Sequence, residues 1–314
     1  MTGYLMTVGE SLALAAATAV GTLSRGAHLE LGFGGAESNV AIAASRLGTT
    51  THLVSRVGDD DLGRMILREL RAEHVTAHAA IDASAPTGLM VKGRPAAGTA
   101  QVLYYRAGSA ASRLSPADVP EGLVEDAAIV HVTGITPALS ASALETVRSV
   151  VARARDAGVP ISFDVNHRSK LWSAEAAAPV YAELARACTY FFAGDDEARI
   201  IVDGADPAEL AERIAELGPT SVVIKLGADG AVALVDGEPH RVAAVPVDVL
   251  DTVGAGDAFV GAYLADVIAG RPVADRLATA AAAGAHACRV LGDWEGMPTR
   301  RDLERAGRSE PVDR

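Results

Sequence analysis

The chain has 314 residues, is 49% hydrophobic but only 4% aromatic, and carries a formal charge of −12. That length suffices for one large core, and the abundance of small aliphatic side chains suits helices packed closely on a sheet. Charge excludes nucleic acid as a partner, because phosphate backbones are held by clustered Lys and Arg and no basic run occurs. Cys188 and Cys288 are too few for a disulfide framework or a zinc cluster, which points to a reducing cytoplasm. Residues 1–17 lack the basic leader of a signal peptide, and no apolar run is long enough to offer a membrane span.

In chain order, short apolar runs at 5–8, 51–57, 128–132, 159–164, 190–193 and 221–226 predict strands, with segments of helical period between them. Within 142–157, for example, Leu144, Val147, Val151 and Ala154 recur at helical spacing, and Gly158 with Pro160 marks the exit into a strand. This order predicts an α/β fold in one domain over 1–314, with a mostly parallel central sheet flanked by helices. Residues 23–33 and 87–107 break the rhythm, with alternating or β-branched residues and no helical period. They are expected to form antiparallel strands of a small β-sheet lid, drawn from about 12–35 and 87–107, which excludes water during group transfer. The charged tail after residue 306 is expected to fray.

The segment with the most chemistry is Asp251-Thr252-Val253-Gly254-Ala255-Gly256-Asp257, followed by an apolar helix predicted over 258–269. Small residues at a helix entrance leave backbone N–H groups pointing outward with the positive end of the helix dipole behind them, which makes an anion hole. Asp257 then sits in the first turn beside the anion, where a carboxylate can take the proton of an attacking hydroxyl. A turn with an Asp cap is the bland alternative. A second stretch, Gly34-Gly35-Ala36-Glu37-Ser38-Asn39-Val40-Ala41, pairs glycines that allow close backbone approach with an Asn that both donates and accepts hydrogen bonds. It reads equally as an ordinary strand-to-helix turn.

Both stretches resemble the signatures of the PfkB-type, ribokinase-like carbohydrate kinases, and the likeness runs from residue 6 to residue 304. Its details are similar to the 2-keto-3-deoxygluconate kinases: Tyr104-Tyr105-Arg106-Ala107-Gly108-Ser109-Ala110, Asp164-Val165-Asn166-His167-Arg168 with Leu171-Trp172, and Gly292-Asp293-Trp294-Glu295-Gly296. The resemblance implies a ribokinase-like fold and ATP-dependent phosphorylation of the 6-hydroxyl of 2-keto-3-deoxygluconate. Gly254, Ala255, Gly256 and Asp257 would be catalytic, and Gly35, Asn39, Tyr104, Arg106, Arg168 and Asp293 would bind the sugar acid. Asn166, Lys225, Gly227 and Gly230, with Gly254 and Gly256, would meet the nucleotide. A carboxylate distinguishes this substrate from neutral sugars, and arginine suits it. Without the flanking residues, Arg106 reads as a solvated lid charge, Arg168 as an ion pair at a strand end, one of Tyr104 and Tyr105 as core packing, and 225–230 as a hairpin turn.

The resemblance further implies Mg²⁺, a monovalent cation in some members, and a homo-oligomer formed through the lid. Mg²⁺ rides mainly on phosphates and water, so Glu197 is at most an indirect metal residue; the family's Asn is replaced here by Gly194. Met90, His167 and Ala281 also depart from common family residues. His167 is expected to pack or hydrogen-bond rather than catalyse. His74 and His78 have helical i, i+4 spacing but no third metal ligand. Two other readings stay open on sequence: a kinase of the same family for a neutral sugar such as fructose or ribose, or for a nucleoside, and a sugar-binding regulator without catalysis.

Overall fold

The computed structural model describes residues 3–96 and 101–306. Residues 97–100 of the expected lid and the tail after 306 lie outside the described residues.

The main sheet is built from β1 (Leu5–Val8), β4 (Thr51–Gly58), β5 (Val75–Asp82), β8 (Ile129–Thr133), β9 (Ile161–Asp164), β10 (Tyr190–Gly194), β11 (Ser221–Lys225), β12 (Ala231–Val235) and β13 (Glu238–Val242). Its order is β13-β12-β11-β10-β9-β8-β1-β4-β5, parallel from β5 to β11 and antiparallel at the β12 and β13 edge. The six sequence-predicted strands all appear here. β1 lies inside the sheet with parallel neighbours on both sides, β4 and β8, so the chain winds outward in two directions from it.

Helices cover both faces. On one, α1 (Ala36–Arg46), α7 (Ala255–Ile268) and α8 (Val273–Ala287) pack over Leu5, Leu53, Phe192 and Val223. On the other, α3 (Ala141–Asp156), α4 (Ala174–Ala187) and α6 (Pro207–Ala215) cover Met6, Val130, Phe163 and Val222. Helix α2 (Asp61–Ala72) joins β4 to β5, α5 (Asp195–Ala198) is a single turn after β10, and α9 (Arg300–Ala306) ends the described chain. Helix α3 spans the predicted range to within a residue. Helix α7 begins three residues before the predicted start, because Gly254 turns the chain with φ of 76° and frees Ala255 to open the helix. It is apolar on every side and buried from Asp257 to Ile268, as a helix sandwiched between two others must be.

The second sheet has the order β3-β2-β6-β7, from β2 (Leu12–Ala17), β3 (Leu29–Gly34), β6 (Leu89–Gly93) and β7 (Gln101–Tyr105). It is the lid. Two details differ from the expectation. Strand β3 starts only at Leu29, since a turn in which Ala27 N–H donates to Ser24 C=O occupies the residues before it. The β2–β6 pair is parallel, because the chain returns to the lid only after passing through β4 and β5 of the core. His74 is a left-handed residue after α2 and His78 lies on β5, so they share no helix face; His78 Nε2 instead meets His52 Nδ1 at 2.9 Å.

Candidate active site

The carboxyl ends of the parallel strands and the lid enclose one cavity of about 990 Å³. Its walls include Gly35, Asn39, Tyr104, Arg106, Asn166, Arg168, Lys225, Gly254, Gly256, Asp257 and Asp293, which the sequence scatters across the whole chain. Ligands of open α/β sheets occupy this place.

Asp257 lies in the first turn of α7 and is buried. Its Oδ2 accepts a 2.8 Å hydrogen bond from Asn39 Nδ2, and its Oδ1 a 3.2 Å bond from Asn166 Nδ2. Both amides thus fix the carboxylate. Asn39 can reach because α1 and α7 nearly touch: a Cβ on Gly261 would stand 2.6 Å from both Ala43 Cβ and Val40 O. Asn166 reaches by a left-handed backbone, φ 40°, just past β9, a conformation uncommon for a non-glycine residue. Burial pushes the Asp257 carboxyl above the ordinary aspartate value, opposed by the Asn39 hydrogen bond and the charges of Arg168 and Lys225.

The turn before α7 is shaped by Asp293. A Cβ on Gly254 would fall 1.8 Å from Asp293 O, and one on Gly34 would fall 2.2 Å from Asp293 Oδ2. Those two glycines exist to let this residue in. The backbone N–H groups of Gly256 and Asp257 donate to no protein group among the described residues and face the cavity end of the helix. A cation stands beside them: Lys225 Nζ lies 3.6 Å from where a Gly256 Cβ would be. Lys225 is anchored by both oxygens of buried Asp164, each at 2.8 Å; burial pushes the ammonium down, but the charges of Asp164, Glu197 and Asp257 with the Asp164 hydrogen bond together hold it above the ordinary lysine value. Free amides, a helix dipole and a half-buried ammonium together fit a polyphosphate.

Arg168 is exposed and makes no ion pair among the described residues. Arg106 also lines the cavity. It pairs with buried Glu10, whose other oxygen accepts from Ser109 Oγ at 2.9 Å, and its guanidinium lies 5.5 Å from the Tyr104 ring centroid. Lys170 Nζ donates to Val102 O at 3.0 Å, so the loop after β9 touches the lid directly. Asp293 is buried, its Oδ1 accepts no hydrogen bond among the described residues, and burial pushes its carboxyl up to about 7.

A profile of the pfkB family carbohydrate kinases matches residues 2–300. This chain belongs to that family. As a pfkB carbohydrate kinase it is 37% identical to a 2-dehydro-3-deoxygluconokinase of Bacillus subtilis over 95% of this chain and 93% of that one. It is 36% identical to a 2-dehydro-3-deoxygalactonokinase of Haloferax volcanii over 93% of each. Among solved structures, a PfkB protein from Polaromonas sp. JS666 superposes with a TM-score of 0.88 at 34% identity, over 96% of this chain and 99% of that one. A putative ribokinase II from E. coli in complex with ATP and Mg²⁺ does so at 0.89 over 96% and 98%, at 24% identity, a likeness of fold.

The remaining motif residues of this kinase serve its backbone and packing. Gly227 and Gly230 do not line the cavity; they shape the turn between β11 and β12, where a Cβ on Gly230 would stand 2.0 Å from Val242 O. Both oxygens of Glu197 are taken by backbone N–H groups, of His167 at 2.8 Å and Gly194 at 2.7 Å, so the side chain caps two strand ends. His167 hydrogen-bonds Tyr181 through Nδ1, the packing role expected of it. Met90 is buried on the lid face of the cavity, and Ala281 is buried in α8. Sequence reading passed over Glu10, Lys92 and the pairing of Asp164 with Lys225. The one signal for Lys92 was a lysine two residues from Met90, on the same face of a lid strand.

Proposed function

We propose that this carbohydrate kinase transfers the γ-phosphoryl group of ATP to the 6-hydroxyl of 2-keto-3-deoxygluconate, giving the 6-phospho acid and ADP. The observation that carries the reading is a buried carboxylate, Asp257, held by two amides at the mouth of a helix where, among the described residues, the Gly256 and Asp257 N–H groups donate to no protein group, in a cavity that also holds Arg168, which makes no ion pair among those residues. The names of the relatives from B. subtilis and H. volcanii support the acid and its C4 epimer as candidate substrates.

Asp257 accepts the proton of the 6-hydroxyl as the oxygen–phosphorus bond forms and the bond to the ADP oxygen breaks. Gly254, Ala255 and Gly256 orient backbone dipoles toward the charge that develops on the transferred group, and Lys225 adds a full positive charge. Arg168 and Tyr104 receive the keto-acid end, and Gly35 and Asp293 face the sugar hydroxyls. Asn39 and Asn166 act through Asp257. Gly227 and Gly230 hold the β11–β12 turn toward the nucleotide. Mg²⁺, bound with the nucleotide, neutralises phosphate charge. Among the described residues no three His, Cys, Asp or Glu side chains are grouped to hold a metal, so phosphate oxygens and water would be its main ligands, with Glu197 reached only indirectly.

Arg106 must leave Glu10 or share it to touch the carboxylate, an observation that favours, as a second reading, a neutral sugar acceptor. A coupled ADP-release assay across keto-deoxy acids, hexoses, ribose and nucleosides tests both: highest kcat/KM on a keto-deoxy acid supports the first, and on a neutral sugar or nucleoside sinks it. The lid, drawn from residues 12–35 and 87–107, is proposed to be the element through which the chain pairs with a second copy. Its strands β3 and β7 are sheet edges with exposed Leu29, Leu31, Leu103 and Tyr105.

A further inference from the structure

Lys92 projects from lid strand β6 and is buried, with only 9% of its side chain exposed. Its Nζ meets Asp251 Oδ2 at 2.5 Å and stands 3.9 Å from Asp293 Oδ1. The other oxygen of Asp251 accepts from the Val253 backbone N–H at 3.2 Å, at the turn that presents Gly254. Asp293 in turn is wedged against Gly34 and Gly254. One ammonium from the lid therefore pairs with Asp251 and stands within ion-pair range of Asp293, the two carboxylates at the turn before α7. It also forms a partition, lining both the active-site cavity and a second hollow of about 450 Å³ under the same lid face. A buried lysine facing one buried and one half-buried carboxylate is costly to assemble, and its removal leaves carboxylate charge uncompensated.

We infer that Lys92 is a positioning residue of the kinase reaction: a cation delivered by the lid that fastens the lid to the anion loop and holds the Asp293 carboxylate in place for the substrate's hydroxyl end. The inference deepens the proposed function and rests on it for the identity of the hydroxyl compound. The groups that bear on Asp293 are Lys92 from β6, Asp251 from the loop before α7, Asp257 from α7 and Glu295 from its own loop. Lys92 is the only cation among them, and it opposes the burial that drives Asp293 toward its neutral form.

The test compares wild type, Lys92→Arg, Lys92→Met and the neutral pair Lys92→Met with Asp251→Asn, each in pH profiles of kcat/KM for the best acceptor. Hydrogen exchange across β6 and β7 is followed in the substrate-free protein. Lys92→Met is expected to lose roughly ten- to a hundred-fold in kcat/KM, to move the acidic limb to higher pH and to exchange faster across the lid. Lys92→Arg restores the limb, since it restores the charge. The neutral pair recovers thermal stability by removing the unpaired carboxylate, yet keeps the displaced limb; it carries the test if Lys92→Met alone does not fold. An unmoved limb in the neutral pair, or equal losses in Lys92→Arg and Lys92→Met, overturns the inference. A wild type whose best acceptor is a neutral sugar sinks the keto-acid reading instead, and the exchange measurement, made without substrate, still judges Lys92.

Discussion

Asn39 in the first helix and Asp257 in the seventh, 218 residues apart in sequence, share a 2.8 Å hydrogen bond at the floor of the cavity. The amide that sequence alone offers to a sugar hydroxyl is turned toward the carboxylate proposed as the base, with its own Oδ1 buried and without a hydrogen bond among the described residues. Such a pairing fixes the direction of the acceptor lone pairs and leaves the amide oxygen for the substrate.

Asp257→Asn is expected to fold and to bind ATP, with kcat reduced by about 10²–10⁴-fold. Steady-state turnover of the purified variant, beside a thermal melt and a nucleotide-binding isotherm, checks this. Turnover close to wild type would remove Asp257 as the base.

Asn39→Ala deletes the hydrogen bond that most opposes the upward shift of Asp257. The carboxyl pKa therefore rises further. A base must be ionised to act, so activity falls as pH drops through that pKa, and the acidic limb of the kcat profile is expected to move to higher pH. A rise in KM with no displacement of the limb would assign Asn39 to substrate binding alone.

Arg168→Ala separates acceptor classes. Arg168 makes no ion pair among the described residues, so its loss strands no buried partner and should leave the melting temperature nearly unchanged. The KM for a keto-deoxy acid is expected to rise by roughly tenfold or more, and that for any neutral acceptor little. Equal effects on both classes would withdraw Arg168 from carboxylate recognition.

Gly254→Ala places a methyl 1.8 Å from Asp293 O at a residue with φ of 76°. No side chain can yield there, because the opposing atom is backbone. Differential scanning fluorimetry should show a melting temperature lowered by several degrees, and ATP affinity should fall as the anion loop is displaced.

Glu197→Gln tests whether this carboxylate serves the metal. Each of its oxygens caps a backbone N–H, and the amide can accept at only one of them, so stability is expected to drop by about 1–3 kcal/mol. The Mg²⁺ concentration for half-maximal activity should stay within about twofold, since the cation relies on phosphate and water ligands. A large increase would make Glu197 a metal ligand.

The central parallel sheet was legible in sequence because its strands are unbroken apolar runs punctuated by Gly and Pro, a signal that depends only on nearest neighbours. The helix entrance proposed as the anion hole was legible for a similar reason: Gly254 to Asp257 are contiguous, and such an entrance makes its own dipole and free amides. Strand β2 was harder to find. Leu-Ala-Leu-Ala-Ala-Ala reads as readily as helix, and only pairing with β3 and β6 in the lid makes it a strand.

Side-chain partners were not legible at all. Whether Arg106 is free for a carboxylate depends on Glu10, nearly a hundred residues earlier; whether Glu197 is free for a metal depends on the path of two strand ends. Sequence by itself determined the fold class, the anion loop and the residue types in the cavity, since these follow from local hydrophobic pattern and backbone freedom. Only tertiary structure decided which charges are paired, because an ion pair is set by distance in space and by the water that burial removes. It is that decision which turns Asn39 and Asn166 toward Asp257, commits Arg106 to Glu10, and brings Lys92 from the lid onto the loop before α7.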